Sequence, residues 1–358
     1  MNKKLKLLAL VVTVAVVASI GAWYVSQQDT EPTTKEMRTI TDMAGRNVTI
    51  PAEVNSVVTL FPPATKIIYT IAPDKLVGID RVSVGYEGFK EIDPRIKDMP
   101  VVGAGSAVNN EVVLSLNPDV IITVPRSGSS PPDKLQETLG IPVICVNPRD
   151  HDGIKKTHQL IGEVLGEEDR AEELVSYYNE KVNYITSKTS RIPENERVRV
   201  YFAGGGPKGG SVLTTVGKKF IWHDNINVAG GINVAENLTG YFNTVSIEQV
   251  IRWDPDVIVT GRAEGASEDI LSDPKWQDIS AVRNGRVYVI PYYTHTWGYP
   301  TSEWIMGTMW LADRLYPETV DLDMTVETKE FYSKFFHCDI SDEGVYEILH
   351  PQKEISPT

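Results

Sequence analysis

Two cysteines in 358 residues, Cys145 and Cys338, exclude a disulfide-built scaffold and any CxxC metal or redox motif. Both lie among apolar or aromatic residues and read as buried thiols, with a single bridge between them left open. The six histidines never fall in HxH, HxxxH or HExxH spacing, so no local set offers the three or four side-chain donors that a bare transition metal takes. Positive charge is scarce as well. With 35 Lys and Arg against 48 Asp and Glu, a net −13, nothing supplies a basic stripe to track nucleic acid, although a few local arginines suffice for a small anion. There is no GxSxG, no metalloprotease helix and no Ser/His/Asp arrangement, which argues against a hydrolase. The glycine run at 203–210 lacks the GKS or GKT ending of a phosphate-binding loop and reads as a closely approached loop.

What is present begins with Lys3, Lys4 and Lys6, followed by an uncharged run from Leu7 to Val25. Nineteen residues at about 1.5 Å each span roughly the hydrocarbon thickness of a bilayer. The preceding lysines orient the N-terminus inward and the rest of the chain outward. The run is either a cleaved signal peptide or an uncleaved signal anchor; its length, with Trp23 and Tyr24 at its end, favours the anchor. Residues 26–37 are polar, contain Pro32 and read as a flexible tether.

From residue 38 the pattern predicts an α/β protein with mainly parallel sheets. A hairpin turning at Ala44-Gly45 comes first. Strands at 56–61, 75–79, 119–124 and 142–146 then alternate with helices at 65–71, 110–116 and 134–139. Residues 153–192 change character: a long helical stretch, interrupted near Gly166, carries Leu174, Tyr177, Tyr178, Val182 and Ile185 at helical spacing. Strands restart at 197–204, 256–261 and 286–291. The expected plan is an N-terminal lobe (38–152), one long interdomain helical segment (153–192), a C-terminal lobe (193–349) and a tail (350–358). An internal repeat supports it. EVVLSLNPDVIIT (111–123) aligns without gaps on EQVIRWDPDVIVT (248–260), each reading as a short helix, a Pro-Asp stop and a buried strand.

Taken together, TITDMAGRNVTIP, VVTLFPPATKIIYTI with LVGI, NNEVVLSLNPDVIIT, NVAGGINVAENL, SIEQVIRWDPDVIVTG, and RNGRVYVIPYY followed by WIMGTMWLADRLYPE resemble, in order and spacing, the substrate-binding proteins of ABC importers. The class is that of iron-siderophore, cobalamin and haem carriers with a rigid interdomain helix, and the likeness covers roughly residues 38–335. It implies two Rossmann-like lobes facing each other across a cleft, no catalysis and no intrinsic cofactor. It also implies a monomer outside the membrane that hands its solute to a permease and its ATPase. Glu111 and Glu248, at matching places in the repeat, are the acidic residues that such proteins present to the permease.

In open α/β sheets the ligand sits beyond the carboxyl ends of the strands. The residues expected there are Phe61, Pro62, Thr65, Arg81, Tyr86 and Arg126 in the first lobe, and Trp222, His223, Tyr241, Arg262, Tyr292, Tyr293, His295 and Trp297 in the second. Arg126 and Arg262 follow the two repeated strands and carry two-donor forks suited to carboxylate, hydroxamate or catecholate oxygens. The aromatic content suits a large or chelated guest, so an iron chelate is the expected ligand, with His295 or Tyr293 completing an open position on its metal. Cobalamin, haem, nickel and molybdate or tungstate are the alternatives. An oxyanion site would instead be small and rich in main-chain donors.

Overall fold

The computed structural model describes residues 36–104, 107–125, 131–204, 211–261 and 266–351. The run from Leu7 to Val25, most of the tether, Arg126 and Arg262 lie outside them. Among the described residues no helix is long and apolar enough to cross a membrane.

The expected hairpin is β1 (Met37–Thr41) against β2 (Asn47–Pro51), antiparallel, with Gly45 at φ +78° in the turn. In the first lobe, β3 (Val57–Thr59), β4 (Leu76–Asp80), β5 (Val101–Ala104), β6 (Ala107–Val108), β7 (Val120–Thr123) and β8 (Val143–Cys145) form one sheet in the order β6-β5-β4-β3-β7-β8. Every pairing is parallel except β5 with β6. Its helices are α1 (Pro62–Ile71), α2 (Glu87–Ile92), α3 (Asn110–Leu116) and α4 (Pro132–Leu139).

The helical middle departs from expectation. It is two helices, α5 (His151–Leu165) and α6 (Glu168–Thr189), folded back on each other as an antiparallel hairpin. Gln159 reaches Glu172 and Lys155 reaches Asn179 across it. Gly166, at φ +70°, makes the left-handed stop that a residue with a Cβ resists. Gly162 lets the helices touch, since a Cβ there would sit 2.5 Å from that of Ala171.

The second lobe contains β9 (Arg199–Ala203), a short antiparallel pair β10 (Thr214–Thr215) and β12 (Asn243–Thr244), β11 (Ile232–Asn233), β13 (Val257–Thr260) and β14 (Val287–Val289). The parallel sheet runs β11-β9-β13-β14. Helices α7 (Ile221–Val228) and α8 (Ile247–Trp253) lie within it, and α9 (Ala266–Ser272) and α10 (Ser280–Arg283) precede β14. Then α11 (Trp304–Leu315), α12 (Pro317–Val320), α13 (Met324–Phe336) and α14 (Asp342–Leu349) close the chain.

The strands obey their period of two. Val57, Val120, Ile122, Val200, Phe202, Val257 and Val259 enter one apolar cluster shared by both lobes, the hairpin and α13. Val58, Ile121, Tyr201 and Ile258 point the other way, into a smaller core outside each sheet. The repeat is also a structural one. Asn117 and Asp254 end α3 and α8 in the left-handed region (φ 44° and 39°). The next aspartates staple the neighbouring strands: Asp119 Oδ2 accepts from Ser56 N and Asp256 Oδ2 from Arg199 N.

Candidate ligand cleft

The carboxyl ends of β3, β4 and β14 bring most of the described candidates to the seam between the lobes. Pro62 starts α1 in a place where a missing N–H costs nothing, leaving Phe61 and Pro62 half-buried at the end of β3. Asp80 ends β4 and shapes the next turn, accepting from Val82 N, Ser83 N and Ser83 Oγ. Arg81 and Val82 are thereby exposed at the strand end. Thr65 is a correction: fully buried, it donates to Asp80 Oδ2 at 2.7 Å and supports the turn instead of facing solvent.

The 292–297 segment is a tight reverse turn after β14, with Tyr293 N bonded to His295 O and Trp297 N to Pro291 O. Its inward residues anchor it. Thr294 donates through both N and Oγ1 to Glu303, and Trp297 Nε1 donates to Tyr332 Oη at 3.0 Å. Tyr332 Oη in turn donates to Glu303 Oε1. This anchoring presents Tyr293 and His295 to the first lobe. The His295 ring stacks on Tyr86 with centroids 4.9 Å apart and planes at 25°. Tyr293 lies over Gly88, where a Cβ would come within 2.3 Å of its ring, and Tyr293 Oη donates to Glu91.

Trp222 and Trp297 are further corrections. Both are completely buried. Trp222 packs on Phe202 and against Gly298, whose φ of +73° and missing side chain admit the indole. Helical spacing turns Trp222 inward from α7, and the turn after β14 turns Trp297 inward, so neither walls a cleft. Tyr241 is exposed in an aromatic run, Tyr241–Phe220–Tyr299–His295, with successive centroids 5.1 to 5.8 Å apart. The buried Phe220 and half-buried Tyr299 in this run were not legible as site residues, since nothing local separates them from core aromatics. His223 Nε2 is bonded to Asn227.

No group of three or more His, Cys, Asp or Glu able to hold a metal occurs among the described residues. Burial and the Glu91 carboxylate push the Tyr293 phenol well above its ordinary range, which works against a phenolate ligand to iron. Cys145 and Cys338 are both free; burial raises the Cys145 thiol to about 11.

Two flanks of the seam differ in charge. A cavity of about 180 Å³ lined by Tyr86, Tyr292, Tyr293 and Ile348 is rimmed by Glu87, Glu91 and Glu347 and repels anions. The strand ends carry exposed Arg81 and the glycines Gly103 and Gly204 at φ +119° and +85°, and Lys218 and Lys219 are exposed in the turn just before Phe220.

Sequence reasoning also missed two buried charges. Lys66 on α1 is fully buried, with Nζ 3.3 Å from the Phe89 ring centroid and 5.5 Å from that of Tyr86. It has no hydrogen-bond partner among the described residues. Burial lowers it to about 7, and burial raises Glu303 to about 7.

Two α/β lobes in contact along a seam at their strand ends, coupled by a helical hairpin, define a ligand-clasping protein. The family described as periplasmic binding protein matches residues 57–294, and the chain belongs to that family. It is 29% identical over 328 residues to the molybdate-binding protein MolA of Haemophilus influenzae, covering 84% of this chain and 91% of MolA. It is likewise 29% identical to an uncharacterized ABC transporter substrate-binding lipoprotein of Bacillus subtilis, covering 78% and 86%. Among solved structures, a periplasmic solute-binding protein of Veillonella parvula superposes with a TM-score of 0.75 at 26% identity, covering 88% of this chain and 97% of that one. MolA bound to molybdate gives 0.74 at 28%, covering 85% and 99%. The protein is thus an extracytoplasmic substrate-binding component of an ABC importer and not an enzyme.

Proposed function

We propose that the solute is a small metal oxyanion of the molybdate or tungstate type, held between the lobes and delivered to the permease. The observation that carries this reading is how little of the aromatic surface is left to line a wide chamber. Tyr86 is 5% exposed, His295 9%, and Trp222 and Trp297 not at all. An anion of four oxygens needs donors more than area, and the strand ends offer Arg81 and glycines through which the main chain approaches. The likeness to a molybdate-binding relative supports it further. A second reading, the ferric chelate expected from sequence, draws on the exposed pair Tyr241 and Phe242, 38% and 37% accessible, which offers a flat aromatic surface. Arg126 and Arg262 serve either anion. Glu111 and Glu248, both exposed on the first turns of α3 and α8, are read as the residues that meet the permease, and the N-terminal segment as the membrane tether.

Isothermal titration of the ectodomain with molybdate, tungstate, sulfate, ferric citrate and haemin decides between the readings. Binding of molybdate and tungstate at one per chain, with no heat from haemin, is expected. A ferric complex bound at one per chain, with molybdate silent, would reverse the order of the two.

A further inference from the structure

The fold has no use for the charge on Lys66. Every residue of α1 from Pro63 to Ile71 is buried, so the lysine has no surface to which its ammonium can extend. It also stands a turn from the start of the helix, the end whose dipole disfavours a cation. Two carboxylates act on it, Asp80 at the end of β4 and Glu303 just before α11. Both commit their oxygens elsewhere. Asp80 accepts from Thr65, Val82 and Ser83. Glu303 accepts from Thr294 and Tyr332. What stands against Nζ is the ring of Phe89, its centroid 3.3 Å away, and that of Tyr86 at 5.5 Å. Among the described residues the ammonium finds no hydrogen-bond acceptor. A methionine would fill the same volume on the same rings without the cost of an unpaired buried charge.

This charge lies where the lobes meet. Tyr86 is the ring that stacks on His295 of the second lobe, with centroids 4.9 Å apart, so Nζ sits one ring's depth beneath the seam. The surroundings are apolar and dry, and a charge there acts over distances at which water would screen it. Resting on the oxyanion reading above, we propose that Lys66 is the specificity-determining cation for the solute's charge: acting across Tyr86 without touching the solute, it sets the preference for an anion of two charges over one of the same shape with a single charge. Coulomb energy scales with the product of the charges, so one buried cation favours a dianion twice as strongly, in free energy, as a monoanion in the same place. Main-chain donors at the strand ends bond the oxygens of either. A cation left unpaired until a dianion arrives also accounts for a lysine on a helix buried on every side.

Molybdate and perrhenate are tetrahedral four-oxygen anions of nearly the same size, the first doubly and the second singly charged. Isothermal titration of the full chain, in mild detergent at neutral pH, compares them on wild type and on Lys66→Met. Wild type is expected to hold molybdate about tenfold or more tighter than perrhenate. No preference overturns the proposal without any variant. In Lys66→Met, molybdate affinity is expected to fall about a hundredfold and perrhenate affinity about tenfold, since doubling the energy squares the ratio. Equal losses, or none, overturn it, because damaged packing weakens both anions alike. Lys66→Gln, judged by the same ratio, serves where Lys66→Met fails to fold. If wild type binds ferric citrate and neither tetraoxo anion, the oxyanion reading fails by itself. The charge role of Lys66 then survives only if Lys66→Met weakens that complex about tenfold or more. A wild type that binds none of the three overturns both.

Discussion

At the scale of single residues, the seam is governed by buried ionisable groups whose effects on stability oppose each other. Glu303 is raised from its ordinary 4.5 to about 7 by burial, so the folded state holds a proton that the unfolded state has released. Its contribution is complete below pH 4.5 and is lost as pH climbs through 7. His158 runs the other way. Burial lowers it from 6.5 to about 4, and its contribution disappears as pH falls from 6.5 through 4. Its Nε2 meets Tyr178 Oη at 3.0 Å and Ser302 Oγ at 3.3 Å, and Ser302 Oγ contacts Thr70 Oγ1 at 2.8 Å. Glu303→Gln is therefore expected to remove the decline in unfolding free energy between pH 4.5 and 7. His158→Leu is expected to remove the acid-side loss and to cost about 1–3 kcal/mol at neutral pH, because Tyr178 and Ser302 lose a buried partner. Urea melts across pH 4–8 measure both, and parallel pH profiles for wild type and variants would contradict them. None of these groups was legible in the sequence. Lys66 and Glu303 sit in runs where a charge ordinarily marks a solvated face, and only tertiary placement reveals them as buried. The seam residues Tyr86, Tyr293 and His295 were legible, because loops after strand ends are where an open sheet collects such side chains.

At the scale of elements, legibility follows locality. The strands and helices around the repeat read correctly because a Pro-Asp stop after an apolar helical face is written within a dozen residues. The middle of the chain did not: continuous helical spacing through 153–192 with one interruption suggested a single rod, whereas the interruption reverses the chain. The signal was present in Gly166, whose left-handed conformation ends α5 and whose neighbour Gly162 lets α6 return closely. What spacing could not say is how far the second helix turns, since that depends on the Gly162–Ala171 contact. Gly162→Val is expected to force the helices apart and cost about 1–3 kcal/mol, read from chemical denaturation. Gly166→Ala is expected to cost about 1–2 kcal/mol, for the positive φ alone, since nothing lies within 4 Å of the added Cβ. If Gly162→Val proved as mild as a surface change, the close crossing of α5 and α6 would not be what couples them.

At the scale of the whole molecule, these lobes are poorly built for wide hinge motion. A hinged pair keeps separate cores joined by a few mobile residues. Here one apolar cluster runs from β3 through the hairpin into β9 and α13, and α6 alone extends about 33 Å. Tyr69 of α1 stacks on Phe336 of α13 with centroids 5.8 Å apart, and Tyr178 of α6 donates to Ser302 O beside α11. Opening the lobes as rigid bodies would break that core, and a small solute offers too few contacts to offset such a loss. Two outcomes are expected. Thermal unfolding of the ectodomain passes through one cooperative transition, with calorimetric and van't Hoff enthalpies equal, because neither lobe keeps its core without the other. On the oxyanion reading proposed above, saturation with molybdate raises the midpoint through mass action while leaving the radius of gyration from small-angle scattering unchanged. Two resolved transitions, or a contraction on adding solute, would mean that the shared core parts more easily than its burial implies, and that the lobes move as separate bodies.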